Sequence, residues 1–289
     1  MSVLNDFLAL PRHEFDHLTH QRGPDELVFL VDPNHSEAAA GLHDLGSSTP
    51  LRPLFMGTEF EAIAAAGPVW LSATRDSEMA KHAARLCLST RSGIALAAAT
   101  PEQALAHARR LLRVKDGSGG DSLLSFYRPS LWAALMLTAG DALDALLGPW
   151  EHVLSPAPLH FPEGTPGWLS WVPRQGNADW NAAAPYSLPA TITLAQRPLR
   201  WTYWIDEHHE AFGNPGVAQL PTLIGNLELL AGHGIYEGRH LLKLAPLIGG
   251  SPLHAHETAM TVLQSADAAF IKVERLQQLA ATSHPASTL

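Results

Sequence analysis

The residues of this chain whose types and spacing could do chemistry are histidines and carboxylates gathered in three places. His13, His17 and His20 recur at i, i+4 and i+7, so a helix would set them on one face, with a separation able to hold a metal ion. Asp206-Glu207-His208-His209-Glu210 is the densest ionisable run, and His254-Ala255-His256-Glu257 could add ligands in space. Those sets would suit a metal-dependent hydrolase built on His13, His17, His20, His208 and His209. The patterns are incomplete, however. No cysteine or carboxylate cluster beside His13 completes a four-ligand set, neighbouring residues on a helix point around its axis, and no His-Glu-x-x-His motif occurs. With 16 histidines in 289 residues, such spacings arise on any polar helix face. The favoured reading is a solvated surface without a metal, and the hydrolase stands as the alternative.

Nucleophile chemistry finds equally little. Cys87 lies among Ala83, Ala84, Leu86 and Leu88, a setting for a small buried hydrophobe. Ser170 sits in Trp168-Leu169-Ser170-Trp171-Val172 without the glycines of a Gly-x-Ser-x-Gly elbow. Asp32 follows an apolar run, where an α/β enzyme could place an acid, but Asp32-Pro33-Asn34 has the composition of a turn. No Gly-x-Gly-x-x-Gly or Walker loop follows any predicted strand. The expectation is a protein that is not an enzyme and carries no cofactor.

Composition narrows the partner. The formal net charge is −9, and none of the 19 basic residues forms a run, which disfavours nucleic acid because phosphate binding needs clustered cations. A single cysteine excludes an internal disulfide and suits a reducing compartment. The first residues lack a basic segment followed by an apolar run, and no stretch approaches the roughly 18 apolar residues of a membrane span. We expect a cytoplasmic protein with no membrane contact. Charged residues make up only 16% of the chain while it carries eight tryptophans, so apolar surface is expected to seek a protein partner. Candidate contacts are Trp168, Trp171, Trp180, Trp201 and Trp204.

The elements that must position these residues read as an α/β protein of mixed α+β type. Leu27–Val31 is a continuous apolar strand, followed by a helix over 36–45 and an edge strand over 51–56 interrupted by Pro53. Thr58 and Glu61 open a helix over 60–66 as a capping box. A strand over 69–74 and a helix over 77–90 follow, then a strand from Ile94, and a helix that Thr100 and Pro101 begin. Asp116-Gly117 and Gly119-Gly120 mark a reversal into a strand over 123–127, stopped by Pro129. A helix spans 131–147 and a strand 150–154. We read residues 1–154 as a lobe with a mixed sheet and packed helices. Residues 155–200 are a Pro- and Trp-rich linker with short strands at 167–172 and 190–194, and 201–289 a small helical lobe with helices at 218–231, 237–247 and 255–276.

The stretch 93–137 carries a resemblance. A small apolar strand, a helix ending in Arg109-Arg110, an Asp-Gly turn, the aromatic pair Phe126-Tyr127, Pro129 and an apolar helix resemble the type VI secretion effector-chaperone family, the Tap or Tec adaptors. Gly67-Pro68-Val69-Trp70-Leu71 and the turn at Gly234-Ile235-Tyr236 are similar to further pieces of that family. The charged places flanking its aromatic pair are here Ser125, Arg128 and Ser130. The resemblance implies an adaptor that binds a cognate effector and helps load it onto the secretion spike, a valine-glycine repeat protein or a PAAR-type tip, with a co-chaperone as a further partner. Strand alternation and the break at Pro129 let the Arg128 side chain leave the sheet edge for solvent, at the place where the family carries an aspartate, so Arg128 is expected to face the partner while Phe126, Tyr127 and Trp132 hold the scaffold.

Overall fold

The computed structural model describes residues 2–15, 26–31, 51–115, 120–162, 167–174 and 186–283. His17, His20, Asp32, Trp180, the helix expected over 36–45 and the Asp116-Gly117 turn lie outside the described residues. The architecture is mixed α+β, as expected. Two compact units divide it: residues 1–158 with 165–200, and residues 159–164 with 201–289. The Pro- and Trp-rich stretch is therefore shared between the units, most of it belonging to the first.

The first unit is organised by β1 (Glu26–Val31), whose residues from Leu27 onward are all buried. Such a strand must be flanked and covered on both faces. β3 (Val69–Thr74) and β4 (Ile94–Ala97) pair with it on either side, both antiparallel. β2 (Arg52–Pro53) closes one edge beside β3, held there as a short edge strand because Pro53 has no N–H to give. β7 (His152–Pro156) and β8 (Trp168–Trp171) continue the other side, in the order β2-β3-β1-β4-β7-β8. This six-stranded sheet is antiparallel throughout, whereas a mixed sheet was expected. The parallel pairing is elsewhere: a small sheet orders β6 (Asp121–Leu123), β5 (Arg113–Lys115) and β9 (Tyr186–Ser187), and β5 runs parallel to β9.

On one face, Leu27, Phe29, Val31, Leu71, Ala73, Ala95, Ala97, Leu154 and Trp168 form a core with Met79, Ala80, Ala83, Ala84, Leu86 and Cys87 of the Glu78–Thr90 helix. Ser77 starts that helix by accepting the Ala80 N–H at 3.2 Å. After it the chain turns at Gly93, at φ +80°, where a Cβ would stand 2.3 Å from the Leu30 carbonyl oxygen; only glycine allows β4 to enter beside β1.

A second nucleus gathers Phe126, Trp132 and Trp150, all fully buried, with ring centroids 5.8 to 6.3 Å apart. The imidazole of His107, on the Pro101–Leu111 helix, meets the Trp150 ring edge-on at 4.7 Å. His107 Nε2–H donates to the Leu146 carbonyl at 2.8 Å, and Trp150 Nε1–H to the Ala104 carbonyl at 3.2 Å. Gly148, at φ +57°, lies against the imidazole so closely that a Cβ there would fall 2.4 Å from Cε1.

Several elements depart from expectation. The strand read over 123–127 ends at Leu123: Leu124 N–H turns to the Leu112 carbonyl, Arg128 N–H closes a turn on Ser125, and both Phe126 and Tyr127 are buried instead of alternating. The helix read over 131–147 is broken into Pro129–Thr138 and Leu143–Leu147 at Gly140, whose φ is +54°. The strand read over 190–194 belongs to a helix, Ile192–Glu207, in which the β-branched Ile192 and Thr193 occupy the first turn. The long terminal helix is two, Glu257–Gln264 and Ala269–Ser283, separated where Ser265 turns extended and its Oγ bonds Asp267.

In the second unit, Leu220–Gly232 buries Leu220, Leu223, Ile224, Leu227 and Leu230 on one face. Its buried Asn226 donates to the carbonyls of Ile248 and Ser251 and accepts from the Leu253 N–H. Lys272 is buried, and its ammonium donates to the Leu263 carbonyl at 2.8 Å, a cation at the carbonyl end of the preceding helix.

Burial holds the His107 imidazole down at about 4, below the roughly 6.5 of an unfolded chain. Between those values the unfolded chain binds a proton that the folded protein refuses, so His107 favours folding fully above pH ~6.5 and loses that contribution as pH falls toward 4. The expected loss is about 3 kcal/mol over that window, read from chemical denaturation at a series of pH values. His107→Gln, which keeps a donor and does not titrate, should be less stable at neutral pH and show a flatter profile. His152, also depressed by burial, leaves a residual slope.

Candidate functional site

The tryptophans expected at a partner surface are mostly committed to the core. Trp168 is 1% exposed, Trp171 8% and Trp201 6%. The Trp168 ring packs on Phe15 at 5.2 Å, while its backbone bridges His13 in both directions. Trp171 Nε1–H donates to the buried Ser155 hydroxyl at 2.9 Å. Trp201 meets Trp204 edge-on at 5.7 Å, and the half-buried Trp204 contacts His208 and Phe212. Arg128 is exposed, at the N-cap of the Pro129–Thr138 helix; Phe126, Tyr127 and Trp132 beside it are buried.

The candidate reactive groups are also engaged. Burial pushes the Cys87 thiol up to about 12, so it carries no thiolate near neutrality. His152 Nε2 lies 2.7 Å from Ser170 Oγ, across the β7–β8 ladder, and the Nε2 atom of His256 lies 2.7 Å from Ser251 Oγ. Among the described residues no group of three or more His, Cys, Asp or Glu is placed to hold a metal ion.

Of the run 206–210, the carboxylate of Asp206 turns inward. It is fully buried, with Oδ2 accepting the Leu159 N–H at 2.9 Å and Oδ1 accepting the His160 N–H at 2.7 Å and the His160 Nδ1–H at 3.0 Å. The His160 ring stacks on His209 at 3.9 Å with the planes 10° apart, and Phe161 meets His209 edge-on. The arrangement is an anion satisfied by two backbone donors and one imidazole. It fixes residues 159–161 to the last turn of the Ile192–Glu207 helix, and all of these residues belong to the second unit.

What sequence inspection passes over is a basic depression in the first unit. Arg109, Arg110, Arg113 and Lys115 line it together with Thr58, Glu59 and Phe60, around a shallow volume of about 500 Å³. The helix ending at Leu111 presents Arg109 and Arg110 in its last turn, where cations oppose the carbonyl end of the dipole; β5 carries Arg113 and Lys115 onward. Arg113 pairs with Glu59 at 3.2 Å and with Asp121 at 2.5 Å, and Lys115 with Asp121 at 2.6 Å. Hydrogen bonds from Arg113 and then Lys115 hold the Asp121 carboxyl down at about 2. Arg109 Nε–H donates to the Leu54 carbonyl. The segment opposite is shaped by Thr58, whose Oγ1 accepts the Phe60 N–H, and by Glu61, whose carboxylate accepts the Gly57 N–H. The expected capping box does not form: neither side chain bonds the other's N–H, and the helix expected over 60–66 is a 3-10 helix, Glu61–Ala66, that begins after Phe60. The cations are no uninterrupted run, yet their spacing in 109–115 is the signal that could have found them.

Residues 29–142 match the family DUF4123, a domain of unknown function, a family associated with type VI secretion effector adaptors. The matched region runs from within β1 to just past the Pro129–Thr138 helix, so it holds Arg128, Phe126 and Trp132 and the basic depression, while Trp150 and the second unit lie beyond it. No curated protein and no solved structure gives a significant match.

Replacing Asp206 tests its role as a clamp. Asp206→Ala leaves two backbone N–H groups and an imidazole without their acceptor and should destabilise the protein by roughly 2–4 kcal/mol. Thermal melts read this directly; Asp206→Asn, which keeps one acceptor oxygen, should cost less.

Proposed function

We propose that this chain is a non-enzymatic adaptor that binds a cognate type VI secretion effector in the cytoplasm and helps load it onto the spike, through a valine-glycine repeat protein or a PAAR-type tip. The observation that carries the reading is the DUF4123 match over residues 29–142. Two features support it. The side chains that could have supplied a nucleophile or a base, Cys87, Ser170, His152 and Asp206, are held in structural bonds or in the core. Among the described residues, no single helix is long and apolar enough to cross a membrane.

In an adaptor, the work is done by surface instead of by a reaction centre. Arg128 is the exposed member of the aromatic stretch, flanked by Phe126 and Trp132 that fix its backbone. Its position at the start of a buried helix presents its side chain at a defined place without requiring it for the core.

The test is co-expression with the effector encoded beside this gene. The two should elute together, and deletion of the adaptor should abolish secretion of that effector alone. An adaptor that elutes by itself, with secretion unchanged on its deletion, would remove the proposal. Arg128→Ala should cost less than about 1 kcal/mol of stability, as surface charges contribute little, and should weaken co-elution. Phe126→Ala should cost about 3–5 kcal/mol through the cavity it leaves.

A further inference from the structure

An open sheet has two edges whose main-chain groups need cover. In the six-stranded sheet these are β2 and β8. β2 is two residues long and blunted by Pro53, whereas β8, Trp168–Trp171, contains no proline. The Ala157 N–H bonds the Gly167 carbonyl, and the register Ser155↔Leu169 and Val153↔Trp171 turns the main chain of Leu169 and Trp171 toward β7. The alternate residues, Trp168 and Ser170, therefore direct their N–H and C=O groups outward.

Residues 3–15 form an arm that covers this edge in part. His13 exchanges both hydrogen bonds with Trp168, at 3.0 and 2.8 Å, as an isolated antiparallel bridge. Continued in the same register, the next outward pair would set Pro11 against Ser170, and proline has no N–H to give. The ladder stops after one rung. Two residues beyond His13, the Phe15 ring lies 5.2 Å from that of Trp168 and 6.0 Å from that of Phe29. Before His13, the helix Val3–Leu8 packs on the Pro129–Thr138 helix and buries Leu4 and Phe7. At six residues, and with no side-chain bond from its N-cap Ser2, it is far too short to persist by itself. Ser170 is half-buried and Val172 after it is 54% exposed, so the edge past Trp168 is reachable. Neither the arm nor β8 falls within the matched residues 29–142.

We propose that residues 3–15 are a displaceable cover, and that an extended segment of a partner protein takes the place of residues 11–15, pairing antiparallel with Trp168 and Ser170. The occupant is defined by what the arm supplies and what it lacks. It carries an aromatic side chain two residues after the one opposite Trp168, where Phe15 stands, and an N–H where Pro11 has none. Such a segment makes the bond to the Ser170 carbonyl that the resident arm cannot, and that bond lets it win the exchange. This deepens the adaptor reading, on which it rests for the identity of the partner.

The experiment uses the full chain. In amide hydrogen exchange, the His13 and Trp168 N–H groups, which join the arm to the edge, should exchange at least about a hundredfold faster than those of Leu169 and Trp171, because the arm opens without global unfolding. Pro11→Val, which restores an N–H opposite Ser170, should raise protection at His13 and Trp168 at least about threefold; misfolding cannot mimic that gain. A fluorescent peptide copying residues 9–15 with the same Pro11→Val change should bind by anisotropy and protect the Ser170 N–H. Methylating its nitrogen at that position should weaken binding at least about fivefold. Equal protection of the four amides, no gain from Pro11→Val, or indifference of the peptide to methylation overturns the proposal. So does a dimer of the chain that protects Ser170 without peptide, since the occupant would then be a second copy. Peptide binding while the effector elutes alone would remove the adaptor reading and leave this edge. Effector co-elution undiminished by Pro11→Val would leave the adaptor reading and remove this edge as its seat.

Discussion

The uncharged imidazole of His107 sits where the helix Pro101–Leu111, the end of the helix Leu143–Leu147, the turn at Gly148 and the ring of Trp150 meet. Trp150 precedes β7 and packs on Phe126 and Trp132, so this contact ties the small hairpin, the broken helix and the large sheet to one another. The geometry leaves no slack. A residue with a Cβ at 148 would collide with the ring, and a protonated ring would be a buried cation beside Arg110, whose charge already opposes it. The first unit therefore depends on a polar side chain used as an aromatic one, with the hydrogen bond to Leu146 fixing its orientation.

Much of this scaffold was legible in the sequence, for particular reasons. β1 declares itself because five consecutive apolar residues flanked by prolines suit only a strand covered on both faces. The helices after Ser77 and Thr100 declare themselves through their first residues and their apolar period. The failures share a cause as well. Phe126 and Tyr127 look like a strand because aromatic pairs favour strands, but both are drawn into one nucleus by residues distant in the chain, and a turn is what permits it. Ile192 and Thr193 look extended, yet the helix they begin buries Leu199, Trp201 and Ile205, and that burial outweighs a weak local preference.

The surface was less legible than the scaffold. Tryptophan density says that large rings must be covered, and cannot say whether by the same chain or by another; Trp168, Trp171 and Trp201 are covered by the same chain. The Asp206–His160 bond and the Glu59–Arg113 pair join residues 46 and 54 positions apart, beyond any local pattern. The one surface signal that was present, four cations in seven residues, reads as unremarkable until Glu59 and Phe60 are brought opposite to it. Low overall charge drew attention to apolar contacts, while the fold gathers four cations in one depression beside Phe60.

The burial of Cys87 has a practical side. It is the only thiol in the chain, fully enclosed beneath the sheet and held at about 12, so the native protein offers no sulfur to a maleimide or a spin label. A cysteine introduced at an exposed place such as Met56 or Ile63 would be the single reactive thiol, without first removing the natural one and opening a hole in the core. The chain is thus ready-made for attaching one probe at a chosen position, and a dye or nitroxide placed there would report on whatever approaches that face.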